Sequence, residues 1–205
     1  FQGFIGWDMV SSGLINRIYV SHFRLSAHLL IAFLILSLIY WNYLKINKIG
    51  NISNKLNMLV PLSFLILIFI QILVGAFVSG MDAGKIYNSW PLMGYSYFPD
   101  DNRLNNLFEI AALSDPSLVQ FIHRNLAYII GIFYLFILFK IYKNKMHDLY
   151  KSINFLGFFI ILQIVLGIFT ILNGAQILIA SMHQISSIFL VSSCIYFFYI
   201  NTSTN

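Results

Sequence analysis

Long runs of Leu, Ile, Phe and Val, separated by short polar clusters, dominate this chain. A helix needs about 20 apolar residues to cross roughly 30 Å of hydrocarbon. Runs of that kind occupy Leu25–Leu44, Met58–Gly80, Ser117–Phe139, Ser152–Leu172 and Ile177–Ile200. From Ser152 to Asn205 there is no Asp, Glu, Lys or Arg. The runs are continuous rather than alternating, so they predict helices and not the roughly ten-residue alternating strands of a membrane barrel. The Asn173-Gly174 pair predicts a tight turn between the last two helices. Pro116, directly after Asp115, suits the first turn of the helix that follows. A shorter apolar stretch, Phe1–Gly13, ends in a Ser-Ser-Gly break. It is too short to span and has neither an initiator Met nor a basic leader, so it is expected to be the remainder of a longer helix.

Composition strengthens this picture. With 59% apolar and 9% charged residues in 205, the chain cannot keep enough polar surface for a water-soluble globule. The expected class is an all-α polytopic membrane protein. Charge then orients it. The connection from Lys45 to Asn57 carries Lys45, Lys48 and Lys55, and the one from Lys140 to Lys151 carries Lys140, Lys143, Lys145 and Lys151 against Asp148. Both are expected on the cytoplasmic side, with the C-terminus. The connection from Met81 to Asp115 holds Asp82, Asp100, Asp101, Glu109 and Asp115 against Lys85 and Arg103, and is expected outside. Its aromatic residues Tyr87, Trp90, Tyr95, Tyr97 and Phe98 suit an interfacial belt or a lid. The formal charge of +5 sits in short inside loops, which gives no reason to expect nucleic-acid binding. The single cysteine, Cys194, excludes an internal disulfide.

The chain also repeats itself. Gln2-x-x-x-Gly6, Gln71-x-x-x-Gly75 and Gln163-x-x-x-Gly167 each close an outward-running helix, and each is followed by an inward-running helix with a histidine: His28, His123 and His183. Three hairpins of one design imply a fourth upstream, hence two pseudo-symmetric four-helix bundles of which the first is incomplete here. Residues 1–57 would be the remainder of the N-terminal bundle. Residues 58–205 would form the C-terminal bundle, with the outer loop over 81–116.

The three histidines lie within about two turns of the outer ends of their helices, at one depth. Ionisable side chains inside a span usually face the interior and serve a function. Imidazoles at matched depth on neighbouring helices supply what axial ligation of haem iron needs, neutral nitrogen donors beside an apolar slot. The plainer alternative is a hydrogen-bonded interior histidine, and for one histidine alone it would prevail. Arg124 adjoins His123 and Arg24 lies one turn before His28, so each could meet a porphyrin carboxylate or simply snorkel to the interface. The Gln and Gly residues read as helix-packing positions rather than cofactor contacts. Asp8 and Asp82 read as outer-interface residues before a proton route. His22 and His147 fall in polar connections and are expected to be solvated.

Five ordered segments make a specific resemblance: Gln2–Leu14, Phe23–His28, Gly80–Met93, Val119–Arg124 and Met182–Gln184. In order, over essentially the whole chain, they resemble the haem A synthase family, in the mitochondrial and α-proteobacterial variant without an external cysteine pair. The resemblance implies an N-terminal bundle for substrate haem and a C-terminal bundle for a haem b cofactor. On that mapping His123 and His183 ligate the haem b iron, and His28 matches one ligand of the substrate haem. Its partner, and the Glu to which the family's chemistry is often assigned, would lie in the upstream hairpin, so no catalytic residue is named within this chain. The reaction implied is oxidation of the C8 methyl of haem O to the formyl group of haem A by successive hydroxylations and loss of water, in cytochrome oxidase assembly. Without the upstream hairpin the chain is expected to hold haem b at best.

The implied partners are haem O, an electron donor, haem O synthase and a second copy of the chain. The implied location is the bacterial cell membrane, with the mitochondrial inner membrane the alternative. Two rivals stand beside this reading: a bis-histidine electron-transfer cytochrome, and a transporter or structural membrane component, to which internal repeats would be equally natural.

Overall fold

The computed structural model describes residues 1–13, 20–47 and 54–203. They form six α-helices: α1 (Gln2–Ser11), α2 (His22–Ile46), α3 (Leu59–Gly80), α4 (Pro116–Lys143), α5 (His147–Leu172) and α6 (Ile177–Thr202). Helices α2 to α6 are each long and apolar enough to cross a membrane. The protein is a multi-pass membrane protein, all-α as expected. Among the described residues the only β-pairing is an isolated bridge between Met93 and Ser96. Lys48, one of the inside-loop lysines, lies outside the described residues.

The observed helices match the five expected spans, α3 starting one residue later at Leu59, and α2, α4, α5 and α6 overrun theirs at the lysine end. The stretch from Lys140 to Lys151, expected to be a connection, is helical on both sides, and only Asn144–Met146 separates α4 from α5. Lysine is a good helix former and its long stem lets the ammonium reach water, so a helix can continue past the hydrocarbon. The starting signals act as their chemistry requires: the Asp115 carboxylate accepts a hydrogen bond from the Leu118 amide (2.9 Å), with Pro116 in the first turn. Between α5 and α6, Gly174 (φ +64°) makes the expected turn, but Ala175 also adopts a left-handed backbone (φ +53°).

Helices run up and down, with α3 packed on α2, α4 and α6, and α5 paired closely with α6. Helix α2 also packs on α6, where Trp41 meets the Tyr199 ring edge-on at 5.1 Å. The main apolar core lies in the lysine half of the bundle. There Phe33, Leu44, Phe64, Ile68, Ile137, Ile153, Val191, Ile195 and Phe197 are buried together. Gly157 of α5 makes room for Tyr134 of α4, whose hydroxyl occupies the space a Cβ would need. At the same end Asn201 accepts from the Leu56 amide (2.8 Å) and donates to its carbonyl (3.1 Å), pinning the close of α6 to the segment before α3. Lys55 Nζ adds a bond to the Ser203 carbonyl (2.7 Å).

The opposite half differs. A small cluster of Val74, Phe77 and Val119 is buried between α3 and α4. In α5 the last buried residue is Ile160, and in α6 the first is Ser186. The end of the α5–α6 hairpin that carries Gln163 and His183 is thus partly exposed, while its other end is sealed.

Candidate functional site

The three hairpins end alike. Gln2 lies nine positions before Ser11 at the end of α1, Gln71 nine before Gly80 at the end of α3, and Gln163 nine before Leu172 at the end of α5. Each glutamine reaches across its hairpin to a histidine. Gln2 Nε2 donates to the His28 carbonyl (3.0 Å), Gln71 Nε2 to the His123 carbonyl (3.1 Å) and Gln163 Nε2 to the His183 carbonyl (3.0 Å). One turn beyond each glutamine, the glycine lies under the imidazole. A Cβ built on Gly6 or Gly75 would stand 3.0 Å from Cε1 of His28 or His123, and on Gly167 it would stand 3.3 Å from Cε1 of His183.

These contacts join the helices, in keeping with Gln and Gly as helix-packing positions, and they bring both residues against a histidine each time. Sequence spacing exposed the repeat, but not the contact, because the distance between two helices is not written in the spacing along either one.

His123 and His183 occupy equivalent positions in their hairpins. Both Nδ1 atoms are buried and have no hydrogen-bond partner. Buried polar atoms are normally paired, so two unpartnered imidazole nitrogens at one level of one bundle are notable. The donor set suits a haem iron: neutral nitrogen ligands from separate helices, at the bundle end where α5 and α6 bury little. The glutamine amide also approaches a ring nitrogen in two hairpins, Gln2 Nε2 lying 3.1 Å from His28 Nδ1 and Gln71 Nε2 3.4 Å from His123 Nε2. Among the described residues no group of three or more His, Cys, Asp or Glu could hold a bare metal ion.

The two arginines have protein partners. Arg124, 6% exposed, donates from Nη1 to the carbonyls of Ser89 (2.9 Å) and Leu92 (3.3 Å), and from Nη2 to that of Tyr87 (2.9 Å). Its Nε is buried without a partner. Arg24 pairs with Asp8 across α1 and α2 (3.0 Å), at an exposed position. Asp82 pairs with Lys85 (2.9 Å).

His22 is only partly exposed, where a solvated side chain was expected. It opens α2, its Cβ would be 2.8 Å from a Cβ on Gly80, its ring meets Phe77 edge-on at 5.7 Å, and its Nε2 is buried without a partner. The polar run before it hides that it already belongs to a packed helix end. His147 is exposed, as expected, and lies beside Tyr150.

The outer segment between α3 and α4 is strapped to α4 on both sides of His123, from Gln120 before it to Tyr128 after it. Gln120 Nε2 donates to the Tyr87 carbonyl (3.0 Å), Tyr97 OH to Asn125 Oδ1 (2.6 Å) and Trp90 Nε1 to Tyr128 OH (2.9 Å). Its first residues also touch the α5–α6 turn, through Gly84 against Ala175 and through Asn88 Nδ2 to the Ile171 carbonyl (3.1 Å). Asp101 ties its middle to α4. The carboxylate accepts from Ser117 Oγ (2.6 Å) and Tyr87 OH (2.8 Å). Sequence reading assigned this segment as an aromatic belt or lid but did not find the Gln120, Arg124, Asn125, Tyr128 face that holds it.

Comparison with known proteins bears on the whole chain. The family described as cytochrome oxidase assembly protein (COX15-CtaA) matches residues 1–195. A heme A synthase of Pelagibacter ubique is 48% identical over 202 residues, covering 98% of this chain and 60% of that protein. Heme A synthases of Rickettsia felis and Rickettsia bellii are 41% and 40% identical, covering 98% and 95% of this chain and 61% and 59% of theirs. The chain thus spans about 60% of the length of these relatives. No solved structure matches it. With the ordered motifs and the repeated Gln, Gly and His geometry accounted for by one family over nearly its full length, this chain belongs to the COX15-CtaA family of cytochrome oxidase assembly proteins.

Proposed function

We propose that the chain supplies the helices of a haem A synthase-type oxidoreductase that hold haem b between His123 and His183, with His28 offering one ligand to substrate haem O. The observation that carries this reading is the pair His123 and His183: separate helices, matching positions opposite a Gln and a Gly, and buried Nδ1 atoms without protein partners. That the relatives are heme A synthases supports the reaction class. When bound, haem supplies the redox chemistry. The chain's residues bind, orient and screen. His123 and His183 approach from α4 and α6, the Gln and Gly residues hold their rings, and the outer segment covers the end of α4 next to them.

Arg24, exposed beside Asp8, is the cation available to a porphyrin carboxylate on the His28 side. Arg124 acts mainly by holding the outer segment beside His123, with its Nε left for a further acceptor. In this reading α3 to α6, residues 58–205, form the haem b bundle, and residues 1–57 belong to a substrate bundle. The lysine end and the C-terminus face the cytoplasm across a bacterial cell membrane. An electron donor and haem O are required partners. Haem O synthase and a second copy of the chain are further candidates.

Extraction of the bound pigment tests the proposal. The chain is purified from cells that make haem O, both alone and joined to the part of the Pelagibacter relative it does not span. Haem b is expected from the chain alone, and haem b with haem O or A from the joined form. Haem b alone from both would replace the synthase with an electron-transfer cytochrome. No haem from either would remove the haem reading altogether.

A further inference from the structure

We infer that each Gln-x-x-x-Gly motif is a positioning device for the histidine opposite: glutamine sets the height of the histidine's helix, and glycine sets the pose of its ring. The inference rests on the haem reading for its purpose, but its geometry stands in the protein alone.

The case begins with repetition. Three helix pairs of different sequence give the same two contacts, with glutamine-to-carbonyl distances of 3.0, 3.1 and 3.0 Å. The glycine-to-Cε1 approaches are 3.0, 3.0 and 3.3 Å. Generic packing would not be expected to place the same side-chain amide on the same residue's carbonyl three times. The carbonyl accepted by each glutamine belongs to the histidine itself, so the bond locks the register of the two helices at the level of the ring. In a setting of low dielectric such a bond between helices is retained, since the free amide and carbonyl find little else to pair with.

The glycine does something different. With no Cβ, it lets the Cε1 corner of the imidazole come close to the neighbouring helix. At 3.0 Å a methyl group at Gly75 would be tighter than ordinary contact, and the ring of His123 would have to tilt or shift. At Gly167 the space is larger, and a methyl would press His183 less. Gly131, on the same helix as His123, has nothing within 4 Å of a built Cβ and provides a control. A ligand that must be held within about 0.5 Å and 10–20° is supported by such neighbours.

The test uses the whole chain in lipid nanodiscs with ¹⁵N-labelled histidine. Solid-state NMR of the imidazole nitrogens, recorded without haem, should show Gly75→Ala moving the His123 resonances and leaving those of His183 in place. Gly167→Ala should move His183, by less, and leave His123. Gln71→Leu should move His123, and Gly131→Ala should move neither. In haem-loaded samples the low-spin electron paramagnetic resonance signal, which reports the angle between the two imidazole planes, should shift most in Gly75→Ala, less in Gly167→Ala and not in Gly131→Ala. Uniform small changes in all variants, or unmoved rings in Gly75→Ala and Gln71→Leu, would overturn the inference. If the wild-type chain binds no haem while the NMR pattern appears as described, the haem reading fails and the positioning role survives.

Discussion

The Asp101 carboxyl shows how single residues in the outer segment hold it in place. Burial by itself would raise this carboxyl, but donation from Ser117 and Tyr87 outweighs that and keeps it below the usual carboxylate range. Burial and the bond to Asp101 raise the Tyr87 phenol in turn, so it stays a donor. The sign follows: a carboxyl depressed in the folded state contributes stability that is complete above its unfolded pKa and is lost as pH falls through the folded one. The outer segment should therefore loosen on acidification through the carboxylate range, earlier than the transmembrane helices. Emission from Trp90 in a Trp7→Phe, Trp41→Phe background would report it. Asp101→Asn should remove this acid transition, and an unchanged transition in that variant would assign the effect to another carboxyl.

Individual residues also show where sequence reading succeeds and where it stops. Pro116 and Asp115 were legible because a proline in the first turn and a carboxylate cap act locally. His22 was not, because its partial burial depends on Gly80 and Phe77, which lie far along the chain. Ala175 carries a left-handed backbone that a glycine beside it would have been expected to absorb.

At the level of helices, hydrocarbon thickness makes the spans legible and the loops less so. The bilayer demands a minimum apolar length and sets no maximum, which is why α4 and α5 continue through Lys140, Lys143, Asp148 and Lys151. The contacts between elements are where prediction needed the structure. Asn201, 2% exposed, satisfies both the amide and the carbonyl of Leu56 and so closes the lysine end. Asn201→Ala should leave these buried groups unpaired and cost about 1–3 kcal/mol. Thermal unfolding in detergent would show it, and an unchanged transition would mean the latch is not needed.

The outer segment offers a second prediction at this scale. Arg124 serves three carbonyls from a planar fork, a geometry an ammonium cannot match. Arg124→Lys should speed proteolysis within the segment several-fold, without loss of the helical signal in circular dichroism. Cleavage at the wild-type rate would show that the other straps suffice.

Across the whole molecule the two ends of the bundle do different work. The lysine end is packed by large apolar side chains and latched by Asn201 and Lys55. The histidine end carries a repeated polar device, three glutamines, three glycines and three histidines, under a strapped outer segment. A membrane bundle with one sealed half can hold helices rigidly while the other half holds a group between them. The repeat in the sequence announced that end, within a chain whose family match covers residues 1–195. The ring contacts that give it meaning emerged only when the helices were brought together.

The most direct test of the account is the visible absorption of the purified chain beside its His123→Ala, His183→Ala and His28→Ala variants. The account predicts a low-spin haem b spectrum in the wild type, lost or converted to high spin by either of the first two substitutions and retained by the third. A spectrum that survives both His123→Ala and His183→Ala would contradict it.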